Sequence, residues 1–151
     1  MSNSQAMCTS FKTEILDGIH ALGTTVIRAG TGADTLKAAL YLASATVNAA
    51  TTAYSATGEV TGSGYSAGGI TATNANQPAN SGTTAYWTPS ASFTYTNLTL
   101  TTAFDAVLIY NSSQSNKAIS VHTFGSQTVT AGTFVLSMPT NDASTGLLRI
   151  A

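Results

Sequence analysis

The sequence is short of charged residues, of cysteine and of long apolar runs, and each shortage excludes a class of function or structure. Charged residues make up 7% of the 151, against about 25% in an ordinary soluble domain. The five basic residues form no cluster, which argues against nucleic-acid binding, because phosphate contacts need grouped Lys and Arg. The same sparsity argues against a basic helix on a membrane surface.

A single cysteine, Cys8, excludes an intrachain disulfide, so the fold does not depend on one. No apolar run approaches the roughly 18 residues of a membrane-spanning helix, so we expect no membrane partner. The first residues lack the basic and apolar regions of a secretory signal. We therefore expect a protein that is made in a cytoplasm and goes wherever its assembly goes.

Residues that could support catalysis or hold a metal are few and scattered. His20, His122 and Cys8 lack the spacing of a zinc site, which usually takes about three or four ligands, so we expect packed or surface histidines and no metal. Glu14 and Asp17 are close in sequence, but near the start of a helix they are typical of a solvated face. No nucleotide-binding or hydrolase motif is present. We therefore expect no catalytic residue, no cofactor and no enzymatic activity.

The N-terminal part of the chain predicts one short helix. Thr9 or Ser10 can cap it, Glu14 follows at about the spacing of a capping box, and Gly23 is a natural stop. Its apolar side chains fall on one stripe of Phe11, Ile15, Ile19 and Leu22, with Leu16 beside it. An isolated helix of about twelve residues is marginal in water, so we expect the stripe to lie on a sheet or on a neighbouring subunit.

The rest of the chain has the patterns of short strands separated by turns. Residues 35–42 alternate and predict a half-buried strand, whereas residues 103–111 are almost continuously apolar and predict the central strand. Further strands are predicted at 26–28, 83–88, 92–100 with a bulge near Asn97, 117–124, 127–130, 133–138 and 146–150. Residues 59–60 and 70–73 would pair as a ribbon. Turns are predicted at 74–82, 125–126 and 131–132.

Turn signals at intervals of roughly 8–12 residues are typical of a sandwich or a barrel. We therefore predict a mainly β protein, an antiparallel sandwich or barrel-like domain with a short N-terminal helix. Residues 1–10 are predicted to form an N-terminal arm, and residues 11–151 a single β-rich domain.

A surface with so little charge favours association, because net charge keeps small domains apart. We expect much of it to be covered by a partner or by copies of the same chain. The candidate interface residues are Phe11 and Ile15 on the helix stripe and the adjacent aromatic residues Tyr86 and Trp87, since aromatic side chains dominate interface energetics. Aromatic side chains also form stacking platforms for sugars or single-stranded nucleic acid, so that alternative stays open.

Several segments also carry a resemblance to a known family. They are MCTSFK at 7–12 with the short helix after it, LKAALY at 36–41, TTAYS at 51–55, GEVTGSGY at 58–65, AVLIYN at 106–111, NKA at 116–118 and FGSQTVTAGTF at 124–134. Over about residues 7–150, these segments resemble the small virion structural proteins of tailed bacteriophages. The resemblance points most directly to the capsid decoration, or cement, type.

This resemblance implies a protein that binds the outer surface of the capsid through the major capsid protein, often as a homotrimer, and braces the shell against DNA pressure. It implies a virion location. The arm at 1–10 and the Gly-rich stretch at 58–82 would become ordered on the shell. A tail, collar or fibre-base subunit that recognises a host surface is the alternative, and a small hydrolase is a distant third.

Overall fold

A computed structural model describes residues 2–16, 18–24 and 33–151. This part of the chain is mostly β, with two antiparallel sheets and one short helix in a sandwich-like arrangement. The predicted fold class is therefore confirmed. The strand predicted at 26–28 and the side chain of Asp17 lie outside the described residues.

The described residues form one helix and eight strands. In chain order they are β1 (Ala6–Met7), α1 (Thr9–Leu16), β2 (Leu36–Leu42), β3 (Ile70–Thr71), β4 (Ala79–Ser81), β5 (Thr84–Trp87), β6 (Phe93–Asn111), β7 (Lys117–Leu136) and β8 (Leu148–Ile150). The larger sheet has the spatial order β1–β7–β6–β2–β3, and the smaller sheet has the order β4–β5–β8.

The core is built on β2 and the second half of β6, which pair from Leu36 with Asn111 to Leu42 with Phe104. The apolar run predicted to be the central strand lies in this half of β6, and Leu108 has no exposed surface. The alternation in β2 predicted a half-buried strand, and this was wrong: Ala39 and Tyr41 on its second face are buried too. A Gly-rich connection covers that face, so small and aromatic residues are packed on both sides.

The strands β6 and β7 form one long ribbon that bends back on itself. Phe124 and Phe134 are ten positions apart on β7, which would separate them by about 33 Å in a straight strand, yet their ring centroids are 5.3 Å apart. Both rings pack against Phe104 of β6. Backbone bulges make the bend: Asn97 and Ala131 have φ angles of 53° and 45°. The predicted bulge near Asn97 is confirmed.

The separate strands predicted over 92–111 and 117–138 are therefore two continuous strands. The predicted turns at 125–126 and 131–132 are wrong as chain reversals, because β7 keeps pairing with β6 from Lys117 to Leu136. Glycine and small residues change the direction of the ribbon there without ending it, which is how bulges act at the corners of sheets.

The helix is shorter than predicted. It ends at Leu16 and not near Gly23, because the backbone N–H groups of Gly18 and Ile19 donate to the carbonyls of Ile15 and Glu14. This pair of hydrogen bonds is the Schellman motif, and Gly18 has the positive φ angle of 67° that the motif needs. The remaining apolar positions of the predicted stripe, Ile19 and Leu22, lie outside the helix and in no strand.

The Gly-rich connection does not form the predicted ribbon between 59–60 and 70–73. β3 pairs with β2 instead, and Glu59 makes an isolated bridge with Tyr41. Gly69 explains how close the connection lies to β2: a Cβ atom there would be 1.7 Å from the carbonyl oxygen of Ala38. Residues 74–82, predicted as a turn, include the short strand β4. The strands predicted at 83–88 and 146–150 are present as β5 and β8.

Part of the segment predicted as an N-terminal arm lies on the domain's own large sheet. β1 pairs with β7, matching Ala6 with Val121. The side-chain amide of Asn3 donates to Asp105 Oδ1 at 2.6 Å and to the carbonyl of Leu42 at 3.1 Å. These contacts hold residues 3–7 against the sheet in the chain by itself. A role for residues 1–10 on a shell stays a prediction.

Candidate interface groove

The four predicted interface residues lie around one apolar cavity between α1 and the smaller sheet. Phe11 and Ile15 come from α1, and Tyr86 and Trp87 come from β5. The cavity has a volume of about 240 Å³. Its other lining residues among those described are His20, Leu22, Pro78, Ala85, Leu148 and Ile150. Residues that are far apart in the sequence are thus brought to a single place.

The four residues differ in how much surface they offer to a partner. Phe11 and Trp87 are 1% and 2% exposed and form the buried floor. The indole N–H of Trp87 donates to the carbonyl of Asn76 at 3.0 Å. Ile15 and Tyr86 are partly exposed on the walls. Of the four candidate interface residues, Ile15 and Tyr86 therefore have accessible surface, whereas Phe11 and Trp87 have almost none.

Two further pockets adjoin this cavity, since the second shares Ile15 and Ile150 with it and the third shares Met7, Arg149 and Ala151 with the second. We call the three together the β8 groove. Its middle section, of about 400 Å³, is lined by Met7, Lys12, Ile15, Arg149, Ile150 and Ala151. Its far section, of about 630 Å³, includes Gln5, Thr84, Ser120 and His122. Strand β8 follows one side of the groove, and β1 with α1 follows the other. Ile150 stands at its rim with 48% of its surface exposed.

A buried polar network supports the apolar end of the groove. Glu14 was predicted on a solvated helix face, and this was wrong: it is 8% exposed and accepts hydrogen bonds from Lys117 Nζ and His20 Nε2, both at 2.7 Å. Burial by itself would raise the pKa of Glu14, but the hydrogen bonds from Lys117 and His20, together with the charge of Lys117, outweigh it and hold that pKa below its ordinary value.

The hydrogen bonds of His20 assign its tautomer. Asn111 Oδ1 accepts from the N–H of Ser113, so Asn111 Nδ2 is the group that faces His20 Nδ1 at 3.0 Å. Nδ1 is then the acceptor, and Nε2 carries the proton that is donated to Glu14. Asn111 Nδ2 also donates to Asp34 Oδ2 at 2.8 Å. The network joins α1, the loop before β2 and the tip of the β6–β7 ribbon.

A second buried carboxylate, Glu59, organises the long connection between β2 and β3. It is 6% exposed and accepts from the hydroxyls of Tyr54 and Tyr65 and from the N–H of Gly68, at 2.6, 2.7 and 2.7 Å. The pKa of both tyrosines is raised; burial is the largest cause, and the hydrogen bond to the Glu59 carboxylate is the next largest. Glu59 was not predicted as a site residue; its position between two tyrosines in a Gly-rich stretch is the signal that could have found it.

Ser120 and His122 form the one constellation in the groove that has nucleophile-and-base chemistry. Ser120 Oγ lies 2.9 Å from His122 Nε2. Ser120 is only 1% exposed, so its oxygen is not open to a substrate. Burial lowers the pKa of His122 to about 4, which makes it a weak base. The two side chains therefore contribute to the packing of β7 beneath the groove.

The described ranges 2–16, 18–24 and 33–151 contain no group of three or more His, Cys, Asp or Glu side chains that could hold a metal ion. None of the helices in those ranges is long and apolar enough to cross a membrane. Cys8 is buried, and burial raises the pKa of its thiol to about 11.

The fold and the groove define a mainly β domain with a weakly charged concave surface. Comparison of the chain with protein-family models, with curated proteins and with solved structures found no match.

Proposed function

We propose that the chain is a structural protein of a phage virion, a decoration protein that binds the outer surface of the capsid through the major capsid protein. The observation that carries the proposal is the scarcity of surface charge. Residues 60–104 and 118–141 contain no Lys, Arg, Asp or Glu. Three of the carboxylates outside those ranges, Glu14, Asp34 and Glu59, are buried and hydrogen-bonded.

A surface of this kind supports lasting association more than free diffusion. Charged residues are depleted at the centres of protein interfaces, and net charge is what keeps small domains apart. Much of the long ribbon is also an exposed edge, since β1 pairs with β7 only at Ser120 and Val121. Native proteins cover such edges, and a closed homotrimer is one ordinary way to do so. The resemblance over residues 7–150 supports the same class of protein.

The alternative, a tail, collar or fibre-base subunit that recognises a host surface, draws less support from the groove. A sugar platform would need Tyr86 and Trp87 exposed side by side. Trp87 is 2% exposed and its N–H is already bonded. Tyr86 alone offers an aromatic face there, which is a small platform for a sugar.

The test is the number of copies of this chain per purified virion, relative to the major capsid protein, measured by quantitative mass spectrometry. A ratio near one to one supports a shell-wide decoration protein. A handful of copies per virion contradicts that and favours the tail or fibre alternative, in which case Tyr86 is the first residue to replace. Native mass spectrometry of the isolated protein tests the trimer separately.

A further inference from the structure

β8 is an edge strand in the described part of the chain. Among residues 2–16, 18–24 and 33–151, it pairs only with β5 in the smaller sheet, matching Arg149 with Tyr86. Its residues Leu148, Arg149 and Ile150 line the β8 groove, so the edge away from β5 borders that groove. Such an edge is a template for one more strand.

The groove has the shape and lining for an extended peptide. It runs beside β8 from the apolar section at Ile15 and Tyr86 to the polar section at Thr84 and His122. β1, the edge strand of the larger sheet, lines the opposite side through Ala6 and Met7. A strand laid in the groove would extend the smaller sheet and face the edge of the larger one.

The charge of the groove selects the chemistry of that peptide. Lys12 and Arg149 line its middle section, and no Asp or Glu side chain is among the described residues that line any of the three sections. Asp142 accepts from the backbone N–H groups of Thr145 and Ser144, which are the larger causes of its lowered pKa, and the charge of Arg149 is a smaller cause. The exposed Lys12 keeps the middle section positive.

We propose that the β8 groove binds an extended segment of the capsid shell protein, which adds a strand to β8. The segment places an apolar side chain against Ile15 and Ile150 and an acidic side chain near Lys12. This inference rests on the function proposed above, and it names the surface and the partner chemistry through which that function is carried out.

The chain offers a matched control for the apolar contact. Val135 on β7 is 48% exposed, the same as Ile150, and these two are the exposed large apolar residues of the described chain. Val135 does not line the β8 groove. Replacing either with Asp adds the same charge and removes a similar apolar surface, so the two variants differ mainly in where the change lies.

The experiment measures binding of the full chain to purified shells that lack it, using wild type, Ile150→Asp, Val135→Asp and Lys12→Glu. We expect Ile150→Asp to weaken binding by roughly tenfold or more, as loss of an interface anchor does. Val135→Asp should bind like wild type. Lys12→Glu should weaken binding by a few fold, most clearly at low salt. Lys12→Glu also keeps the test valid if Ile150→Asp fails to fold.

Hydrogen exchange gives a second readout, because amide groups of Leu148–Ile150 that face the groove should become protected on the shell. If wild type does not bind shells at all, the proposed function fails. If wild type and both groove variants bind equally, the function stands and the groove proposal is overturned. If Ile150→Asp and Val135→Asp lose binding equally, or if Ile150→Asp instead abolishes self-association without shells, the proposed occupant is wrong.

Discussion

Glu14 and Glu59 are both buried carboxylates, but they are held by different kinds of partner. Glu14 lies between the ammonium of Lys117 and the imidazole of His20, so its charge is balanced by a cation. Glu59 accepts from two phenols and one backbone N–H, all neutral donors from the same connection. The first arrangement ties together segments 103 positions apart. The second fixes a local stretch that has little regular secondary structure.

The comparison shows two ways in which a chain with few charges uses them for folding. A buried ion pair is sensitive to loss of either partner, but replacing both together relieves the penalty. A carboxylate held by neutral donors has no partner of opposite charge that could be replaced together with it. Removing the carboxylate leaves every one of its donors without an acceptor. We therefore expect Glu59 to be the less replaceable of the two.

The largest effect should come from Glu59→Ala. The change leaves the hydroxyls of Tyr54 and Tyr65 and the N–H of Gly68 without their acceptor, and an unsatisfied buried donor costs about 1–3 kcal/mol. We expect the free energy of unfolding to fall by roughly 3 kcal/mol or more, a large part of a typical total of about 5–15 kcal/mol. Urea unfolding followed by circular dichroism measures it.

Glu59→Gln is the matched control for that change. It keeps the size of the side chain and one carbonyl acceptor, so we expect a smaller loss. A loss for Glu59→Ala no greater than that of an exposed substitution would show that the connection is held by its backbone alone.

The second effect is the coupling between Glu14 and Lys117. Lys117→Met removes the cation from a carboxylate that is 8% exposed, although the Lys117 side chain itself is 34% exposed. We expect a loss of about 1–2 kcal/mol, between the values for surface and buried pairs. The double variant Glu14→Gln with Lys117→Met should lose less than the two single losses added together. Additive losses in this double-mutant cycle would contradict the pairing.

The third effect is on the pH dependence of stability, where Glu14 and His122 act in different ranges. The folded pKa of Glu14 is lowered, so its contribution is present above the unfolded pKa of about 4.3 and is lost as pH falls through the folded value. His122 has its pKa lowered to about 4 by burial, so stability falls as pH drops from the unfolded value of about 6.5 towards 4.

Unfolding free energies measured from pH 7 to pH 3 separate the two groups. His122→Gln should flatten the slope between about pH 6.5 and 4, and Glu14→Gln should flatten only the part below about pH 4.5. A wild-type curve that is flat from pH 7 to pH 4 would be inconsistent with a buried neutral His122.

The strands of the core and the environment of Glu14 show what could and what could not be predicted from the sequence. β2 and the core half of β6 were predicted because Leu36–Leu42 and residues 103–111 carry apolar patterns that depend only on near neighbours. The environment of Glu14 was not predicted, because its partner Lys117 is distant along the chain and no local pattern indicates that the two residues are close in space. The turn signals at 125–126 and 131–132 indicated a change of direction, but pairing across that change depends on β6.

The candidate groove also shows that local sequence patterns do not indicate which residues are buried by distant parts of the chain. Phe11 and Ile15 were predicted as interface residues from the helix stripe, and Tyr86 and Trp87 from their aromatic side chains. Neither pattern predicted that the two pairs line one cavity. Residue type does not say which of them are covered, and burial separates the floor from the walls. The contribution of β8 was missed because Ile150, taken by itself, is an ordinary apolar residue in a short strand.

The smallest effect should separate the two phenols that hold Glu59. Tyr54→Phe and Tyr65→Phe each remove one donor and leave the carboxylate with its other partners, so each should cost about 1 kcal/mol. Tyr65 should cost slightly more, because its hydroxyl also accepts from the N–H of Leu40 on β2 and so joins the connection to the sheet. Tyr41→Phe is the comparison, since that hydroxyl bonds the backbone of Ser55 and not Glu59. Each change keeps the aromatic ring. If Tyr54→Phe and Tyr65→Phe leave the free energy of unfolding unchanged in urea, these phenols act by packing alone, and the distinction drawn between Glu59 and Glu14 loses its basis in hydrogen bonding.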